Sequence, residues 1–345
     1  MRTEVRRVGF RLGSDEELAA MHLVESEIES ERWPGRATMP LETYFAYARS
    51  LPSQFDDHTW LAEAQDRTAL GCAACWSNAA GDAQVMDCYV YVRPSGRGQG
   101  IGWQLATAVI EEARRQSRRR LVWVTGDSVP AGEALSRRLG GRAARVHRIS
   151  ELRLEDLDWG IVRLWIDDGP RRARGYSLEL REGPLPADLL DDAARFHHIM
   201  NTAPRDDLEV GDTVMTPEQV AEIDRHLIAA GQQRWMIFVR APDGSCVGGT
   251  ELTFRDWEHA VGFQQNTAID PDHRGKGLGK WAKAFMLSRI RDQRPHVEVI
   301  RSGNAFSNDP MLVINTALGF QVVEVRTEWQ GDVGHMRAAV GGPSG

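Results

Sequence analysis

Residues 267–280 read Thr267-Ala268-Ile269-Asp270-Pro271-Asp272-His273-Arg274-Gly275-Lys276-Gly277-Leu278-Gly279-Lys280. This stretch indicates the end of a strand, a turn and a glycine-rich loop that opens a helix, because apolar residues then recur at spacings of three and four. The first N–H groups of a helix lack intrahelical partners and lie at the positive end of its dipole. The loop is therefore a candidate site for an anion such as a phosphate.

The lysines of the chain are concentrated at this loop. A scan of the whole sequence finds lysine only at Lys276, Lys280 and Lys283, and every other basic residue is arginine. Lysine confined to the start of one helix suits a phosphate-bearing ligand. Three lysines on an exposed helix face would give the same pattern.

The same pattern occurs once more, 177 residues earlier. There Val90-Tyr91-Val92-Arg93-Pro94 leads into Arg97-Gly98-Gln99-Gly100-Ile101-Gly102, and an apolar helical period follows. Neither copy has the glycine spacing of a dinucleotide-binding loop or of a P-loop. A repeat with matching flanks in each half predicts two related domains, which suits a chain of 345 residues.

The repeated pattern, Arg-x-x-Gly-x-Gly after a strand that runs into a proline, resembles the acetyl-CoA-binding motif of the GNAT superfamily of N-acyltransferases. Two copies resemble a tandem GNAT protein, and the resemblance covers most of the chain. It implies an α/β (α+β) fold with two GNAT-like domains, each a mixed, mostly antiparallel sheet flanked by helices. We expect an N-terminal domain at 1–155, a linker at 156–175 and a C-terminal domain at 176–335, with a disordered tail from Gly331.

The resemblance also implies the coenzyme contacts, since the family's loop binds the pyrophosphate of coenzyme A and the preceding strand pairs with the pantetheine arm. In the second half the carried-over residues are Thr267, Ala268, Ile269, Arg274, Gly275, Lys276, Gly277, Leu278, Gly279, Lys280 and Asn308. In the first half they are Val90, Tyr91, Val92, Arg97, Gly98, Gln99, Gly100, Ile101 and Gly102. Acetyl-CoA is accordingly the expected cosubstrate.

The two halves differ in the helix that follows the next strand. In the second half this helix ends at Gly319, and many GNAT enzymes have a tyrosine four residues earlier as general acid. This chain has Asn315 there, which cannot give up a proton but can donate a hydrogen bond. The first half has Ser136 at that place and Val129 where Asn308 stands in the second half. We therefore expect the second half to be catalytic and the first to be degenerate.

Glu251 is the candidate general base, because the family often carries a glutamate on the strand before the coenzyme strand. A glutamate in a salt bridge would give the same sequence. The alternatives for the base are His197, His198 and His259. Asn304 and Phe306, just past the next strand, are candidates for contact with the acceptor.

The expected activity is transfer of an acetyl group from acetyl-CoA to a primary amine by direct attack, with a small-molecule or peptide amine as acceptor. The alternative is a catalytically silent acyl-CoA-binding sensor or scaffold, motivated by the absent tyrosines. The oligomeric state stays open.

The composition of the chain argues against several other classes of function. A net charge of −7 argues against a general nucleic-acid binder, although 114–120 is a basic run at a helix end. The sequence has no long apolar run for a membrane span and no apolar signal segment, so we expect a cytoplasmic protein. The four cysteines lack the spacing of a complete zinc site, so no metal is expected.

Overall fold

The computed structural model describes residues 3–340, and the side chains of residues 3–336. These residues form two compact units. The first unit runs to Val146 and also contains Asp206–Gly211 and the chain from Arg326 onward. The second unit consists of His147–Arg205 and Asp212–Val325.

The first half of the chain runs from one strand through two helices to three strands, and then alternates helix and strand. Its strands are β1 (Glu4–Val8), β2 (Phe55–Glu63), β3 (Ala69–Asn78), β4 (Val85–Val92), β5 (Arg120–Gly126) and β6 (Arg142–Arg153). Its helices are α1 (Asp15–Arg32), α2 (Leu41–Arg49), α3 (Ile101–Arg115) and α4 (Pro130–Arg138).

The second half repeats this succession. Its strands are β7 (Ser177–Glu182), β8 (Gln232–Arg240), β9 (Cys246–Arg255), β10 (Val261–Ile269), β11 (Val299–Ala305) and β12 (Gln321–Asp332). Its helices are α5 (Trp159–Arg172), α6 (Leu190–Ile199), α7 (Pro217–Ala229), α8 (Leu278–Gln293), α9 (Asp309–Leu318) and α10 (Val333–Val340).

Both units contain a six-stranded sheet with the same strand order. The first unit has β1-β2-β3-β4-β5 followed by the end of β12, and the second has β7-β8-β9-β10-β11 followed by the end of β6. The two parallel pairs are β4–β5 and β10–β11, and the other pairs described are antiparallel. The predicted fold, a mixed and mostly antiparallel sheet with helices in each half, is confirmed.

Each unit takes its sixth strand from the other half of the chain. Residues 326–332 of β12 pair with β5, and residues 147–153 of β6 pair with β11. The units therefore divide the chain at other residues than the sequence suggested. Residues 156–175, where we expected a linker, contain α5, and its Val162 lies in the core of the second unit.

Local signals fix where several helices begin and end. In α1 the Ser14 side chain accepts a hydrogen bond from the Glu17 N–H while the Glu17 side chain caps Ser14 in return. Thr216 and Gln219 form the same capping box at α7. Gly319 ends α9 with a φ of 94°, which glycine adopts without a Cβ penalty.

We expected the tail from Gly331 to be disordered, but the part that the structure describes forms the end of a strand and a helix. Gly331 and Asp332 end β12, and α10 follows with Val333 and Met336 buried in the core of the first unit. A Cβ at Gly331 would lie 2.2 Å from the Met336 Sδ, so a larger residue there would require the buried Met336 side chain to shift. Residues 341–345 lie outside the described residues. The tail departs from expectation because its two apolar side chains complete a core.

Candidate functional site

The glycine-rich loop of the second half connects β10 to α8. Gly277 is the N-cap residue of α8, with a φ of 81°, and no side chain caps this helix end. A Cβ built on Gly275, whose φ is 79°, would meet nothing within 4 Å. The first N–H groups of α8 therefore have no side-chain partner, and the loop before them has open space at Gly275, as an anion site requires.

Cations surround this loop, and none of them is neutralised by a carboxylate among the described residues. Arg274 donates hydrogen bonds to the backbone oxygen of Ile269 at 2.8 Å and to the Thr202 hydroxyl at 2.5 Å, both of which are uncharged. The Nζ atoms of Lys276 and Lys280 lie 5.9 and 5.4 Å from the centres of aromatic rings. Three positive charges are thus available to a ligand at the loop.

The matching loop of the first half has the same backbone but a different charge. Gly100 is the uncapped N-cap residue of α3, also with a φ of 81°. Arg97 donates two hydrogen bonds to the Glu31 carboxylate, at 2.7 and 2.5 Å, and these bonds lower the pKa of Glu31. Where the second half has two lysines, the first half has Gln99 and Trp103. The only cation within this loop is therefore paired with a carboxylate of α1.

Two of the predicted loop residues can contribute only their backbone. Leu278 and Ile101 are buried as the first residues of α8 and α3. A Cβ built on Gly279 would lie 3.7 Å from Ile314 of α9, an ordinary van der Waals distance. At Gly102 the corresponding distance, to Leu135 of α4, is 3.3 Å. The last glycine of each loop thus faces the helix that follows the next strand.

The two parallel strands of the second unit separate partway along their length. β10 pairs with β11 from Val261 to Gln264 and shifts its register against β9 before Thr267. Thr267, Ala268 and Ile269 then pair with β9, and no pairing with β11 is described for them. This open edge offers backbone groups to which an extended ligand can pair as an added strand.

The first unit separates its parallel strands in the same way. β4 pairs with β5 as far as Asp87, and Val90, Tyr91 and Val92 then pair with β3. The structure thus places the predicted strand residues of both halves at equivalent open edges. The backbone of the open edge is therefore similar in the two halves, whereas the charges and the side chains differ.

Glu251 lies on β9, opposite the register shift of β10. Its Oε1 accepts a 2.9 Å hydrogen bond from Asn266, while its Oε2 is buried without a hydrogen-bond partner among the described residues. The Nε2 atom of His197, on α6, is also buried and unpartnered in this part of the chain. Buried polar atoms are nearly always hydrogen-bonded, so both atoms call for a water or ligand partner. The Oε2 of Glu251 is therefore a site where a water or a ligand can bind.

A buried electrostatic group surrounds Glu251. Burial lowers the pKa of His197; the negative charges of Glu251 and Asp224 oppose this shift, and Arg234 adds to it. Arg234 and Asp224 form an ion pair at 2.7 Å. The other two candidate bases, His198 and His259, are exposed. Of the three histidines that the sequence offers, only His197 belongs to this group.

Asn315, on α9, belongs to a chain of buried hydrogen bonds that the sequence did not predict. The Lys283 Nζ donates to the Asn315 Oδ1 at 2.9 Å, and the Asn315 Nδ2 donates to the Asn304 Oδ1 at 2.6 Å. Lys283 is only 2% exposed, so it belongs neither to an exposed helix face nor to the cations at the loop. The sequence signal was a lysine within the apolar face of α8.

The two remaining predicted contacts lie at the start of α9. Asn308 is the N-cap residue of this helix, and its side chain makes no capping hydrogen bond, so it is available to a ligand. Phe306 is 41% exposed, and the Arg148 guanidinium lies 3.8 Å from the centre of its ring. The Oδ1 of Asn304 accepts a hydrogen bond from Asn315, and its contact with an acceptor stays a prediction.

Two further properties bear on the site. Within residues 3–336, no group of three or more His, Cys, Asp or Glu side chains is arranged to hold a metal ion. None of the helices in the described part of the chain combines the length and apolar character needed to cross a membrane.

The fold is that of a tandem acyltransferase. Each unit has a mixed sheet whose parallel strands separate, and a glycine-rich loop follows the separated strand and starts a helix. A model of the Acetyltransferase (GNAT) family matches residues 23–140 and 198–310, more than half of the chain. The chain belongs to this family, as its sequence motifs suggested. The family uses acyl-CoA cosubstrates.

Among similar proteins, the mycothiol acetyltransferase of Rhodococcus jostii (strain RHA1) is 28% identical over 214 residues, which are 59% of this chain and 61% of that protein. The L-amino acid N-acyltransferase MnaT of Escherichia coli (strain K12) is 34% identical over 74 residues, 20% of this chain and 42% of that one. The chain thus covers less than two thirds of either relative.

A solved structure resembles the whole chain. It is a tandem GNAT protein from the clavulanic acid biosynthesis pathway, with a TM-score of 0.74 at 20% identity, and the match covers 99% of this chain and 100% of that one. At this identity the likeness shows a shared fold and leaves the substrate open.

Proposed function

We propose that the second half of this chain is an N-acetyltransferase that moves an acetyl group from acetyl-CoA to a primary amine by direct attack. One observation carries the proposal: the uncapped start of α8, with three cations that no carboxylate of the described residues neutralises, lies directly after the open edge of β10. A pyrophosphate needs the first feature. A long, amide-bearing arm attached to it needs the second.

Each part of this site has a role in the proposed transfer. The loop from Arg274 to Lys280 binds the pyrophosphate, and residues 267–269 hold the pantetheine arm. An N–H group of β10 donates to the carbonyl oxygen as negative charge develops there. Glu251 takes the proton of the attacking amine, directly or through a water at its buried Oε2. Asn308 and Phe306 flank the start of α9 and remain proposed contacts.

The proposed acceptor is a small-molecule or peptide amine. One relative is named for L-amino acids, which favours an amine of that kind. The buried carboxylate of Glu251 suits a cationic ammonium group that must lose a proton before it attacks.

The first half serves, in this proposal, as a structural partner with little affinity for coenzyme A. Its loop arginine is paired with Glu31, and the neighbouring Arg93 is paired with Glu27 at 2.5 Å. At the position of β3 that matches Glu251 of β9, it has Ala74. The first half therefore lacks both the free positive charge and the candidate base.

A calorimetric titration with acetyl-CoA tests this assignment. We expect one site per chain, because only the second loop carries unneutralised cations. Two sites would show that the Arg97–Glu31 pair opens for the ligand, and no binding would overturn the acyltransferase proposal. The alternative, a silent acyl-CoA-binding scaffold, predicts the same single site. A panel of primary amines separates the two, since a scaffold would bind acetyl-CoA without forming free coenzyme A.

A further inference from the structure

A buried lysine faces Asn315 in the second unit. The Lys283 Nζ lies 2.9 Å from the Asn315 Oδ1, 3.7 Å from the Met311 Sδ and 5.5 Å from the centre of the Phe320 ring. No carboxylate among the described residues pairs with it, and burial alone lowers its pKa to about 7. A lysine buried without an anion destabilises a fold, so packing does not explain its presence.

The first unit shows that the fold does not need this lysine. The position of α3 that matches Lys283 of α8 is Ala106, and Ser136 of α4 takes the place of Asn315. Both residues line a largely apolar cavity of about 70 Å³ beside the open edge of β4. The polar pair therefore occurs in the unit that has the unneutralised phosphate loop, and it is missing from the unit that lacks one.

Lys283 also fixes the orientation of the Asn315 side chain. A protonated lysine donates hydrogen bonds and accepts none, so in that state the Asn315 oxygen faces the ammonium group and its NH₂ points away. One N–H of that group donates to Asn304, on the part of β11 beyond its last pair with β10. Asn315 is thus held as a donor toward the part of β11 that no longer pairs with β10.

We propose that Lys283 is a positioning residue for the thiolate side of acetyl transfer: it holds Asn315 as a hydrogen-bond donor and places a positive charge behind it. The inference rests on the proposed function of the second half. It assigns the departing sulfur an environment that stabilises its anion, in place of a tyrosine that would protonate it.

The proposed step balances without a proton donor at residue 315. The amine nitrogen bonds to the carbonyl carbon, and the amine proton passes to Glu251. The carbon–sulfur bond breaks with its electron pair going to sulfur. The sulfur leaves as a thiolate, which accepts a hydrogen bond from the second N–H of the Asn315 Nδ2 while the Lys283 ammonium group compensates its charge. Such charge-assisted hydrogen bonds are stronger than neutral ones.

The pKa of the coenzyme A thiol on the protein tests this role without turnover. Ultraviolet absorbance of the thiolate is followed against pH for coenzyme A bound to the full chain. We expect a depressed thiol pKa on the wild type, and a rise by about one unit, a tenfold loss of thiolate, in Lys283→Met. The cysteines of the chain contribute little to this signal, because burial raises the pKa values of Cys72, Cys75, Cys88 and Cys246.

Two further variants keep the outcome decisive. Arg291→Met removes an exposed cation from the same helix and should leave the thiol pKa unchanged. The double variant Lys283→Ala/Asn315→Ser carries the residues of the first unit, so it should fold, and it should raise the thiol pKa at least as much as Lys283→Met. If coenzyme A binds with the same thiol pKa in all proteins, the role of Lys283 is overturned and the proposed function stands. If the wild type does not bind coenzyme A, both are overturned.

Discussion

Gly277→Val is expected to weaken the binding of acetyl-CoA by about 100-fold. Gly277 has a φ of 81°, where an L residue costs about 1–2 kcal/mol and a β-branched one is a clear outlier. The side chain would also stand at the helix start where phosphate oxygens must approach the N–H groups. Losing two charge-assisted hydrogen bonds at about 1.5 kcal/mol each weakens binding about 100-fold. Calorimetry with the purified variant measures this loss.

Gly100→Val is the matched control. Its φ is also 81°, a Cβ there would likewise meet little, and it also starts a helix without a side-chain cap. The strain and its effect on stability should therefore be equal in the two variants. We expect Gly100→Val to bind acetyl-CoA like the wild type, because Arg97 is already paired with Glu31. Loss of binding in Gly100→Val alone would move the coenzyme site away from the second loop, and equal loss in both variants would show that the effect is not specific to that loop.

The repeat explains why so much of the fold could be predicted from the sequence. An offset of 177 residues places β8 on β2 and β9 on β3 at identical bounds. The glycine loops could also be placed, because a positive φ at a helix start selects glycine. The sequence-based assignment of the loop to a helix N-terminus rests on these local constraints.

The exchange of the sixth strands could not be predicted from the sequence. β6 and β12 have twelve residues each, and their composition indicates strands without naming the strand with which they pair. The pairing of these strands depends on side chains that are distant in the sequence. The domain boundary that we expected near residue 155 was taken from the repeat, which does not show that β6 and β12 are exchanged between the units. The helix at 159–172 was not predicted from the sequence because it contains Pro170 and several charged residues.

Whether the cations of each loop are neutralised also depends on residues that are distant in the sequence. Glu31, which neutralises Arg97, is 66 residues away. Lys283 was grouped with Lys276 and Lys280 because all three follow the loop, yet only the packing of α9 against α8 shows that it is buried. A sequence pattern identifies the loop, whereas the structure distinguishes the loop that can hold an anion.

Glu251→Gln is expected to lower kcat by about 100-fold or more while the affinity for acetyl-CoA stays unchanged. Glutamine has nearly the same shape and can still accept the hydrogen bond from Asn266, so the strand and its bulge should be preserved. It cannot take a proton from the amine at the position of the buried Oε2. Steady-state kinetics with a primary amine, together with calorimetry, separates the loss of the base from a loss of binding.

The acid limb of the pH profile distinguishes a base from a structural carboxylate. If Glu251 takes the proton, the fall of kcat/KM toward low pH should disappear in Glu251→Gln, because no group remains there to be protonated. The exposed Glu218→Gln, on the same unit, should keep the wild-type profile. His197 is the competing base, since its Nε2 is also buried and unpartnered among the described residues. A profile that loses its acid limb in His197→Asn, and keeps it in Glu251→Gln, would assign the proton to the imidazole and leave Glu251 as a nearby negative charge that favours the protonated imidazole.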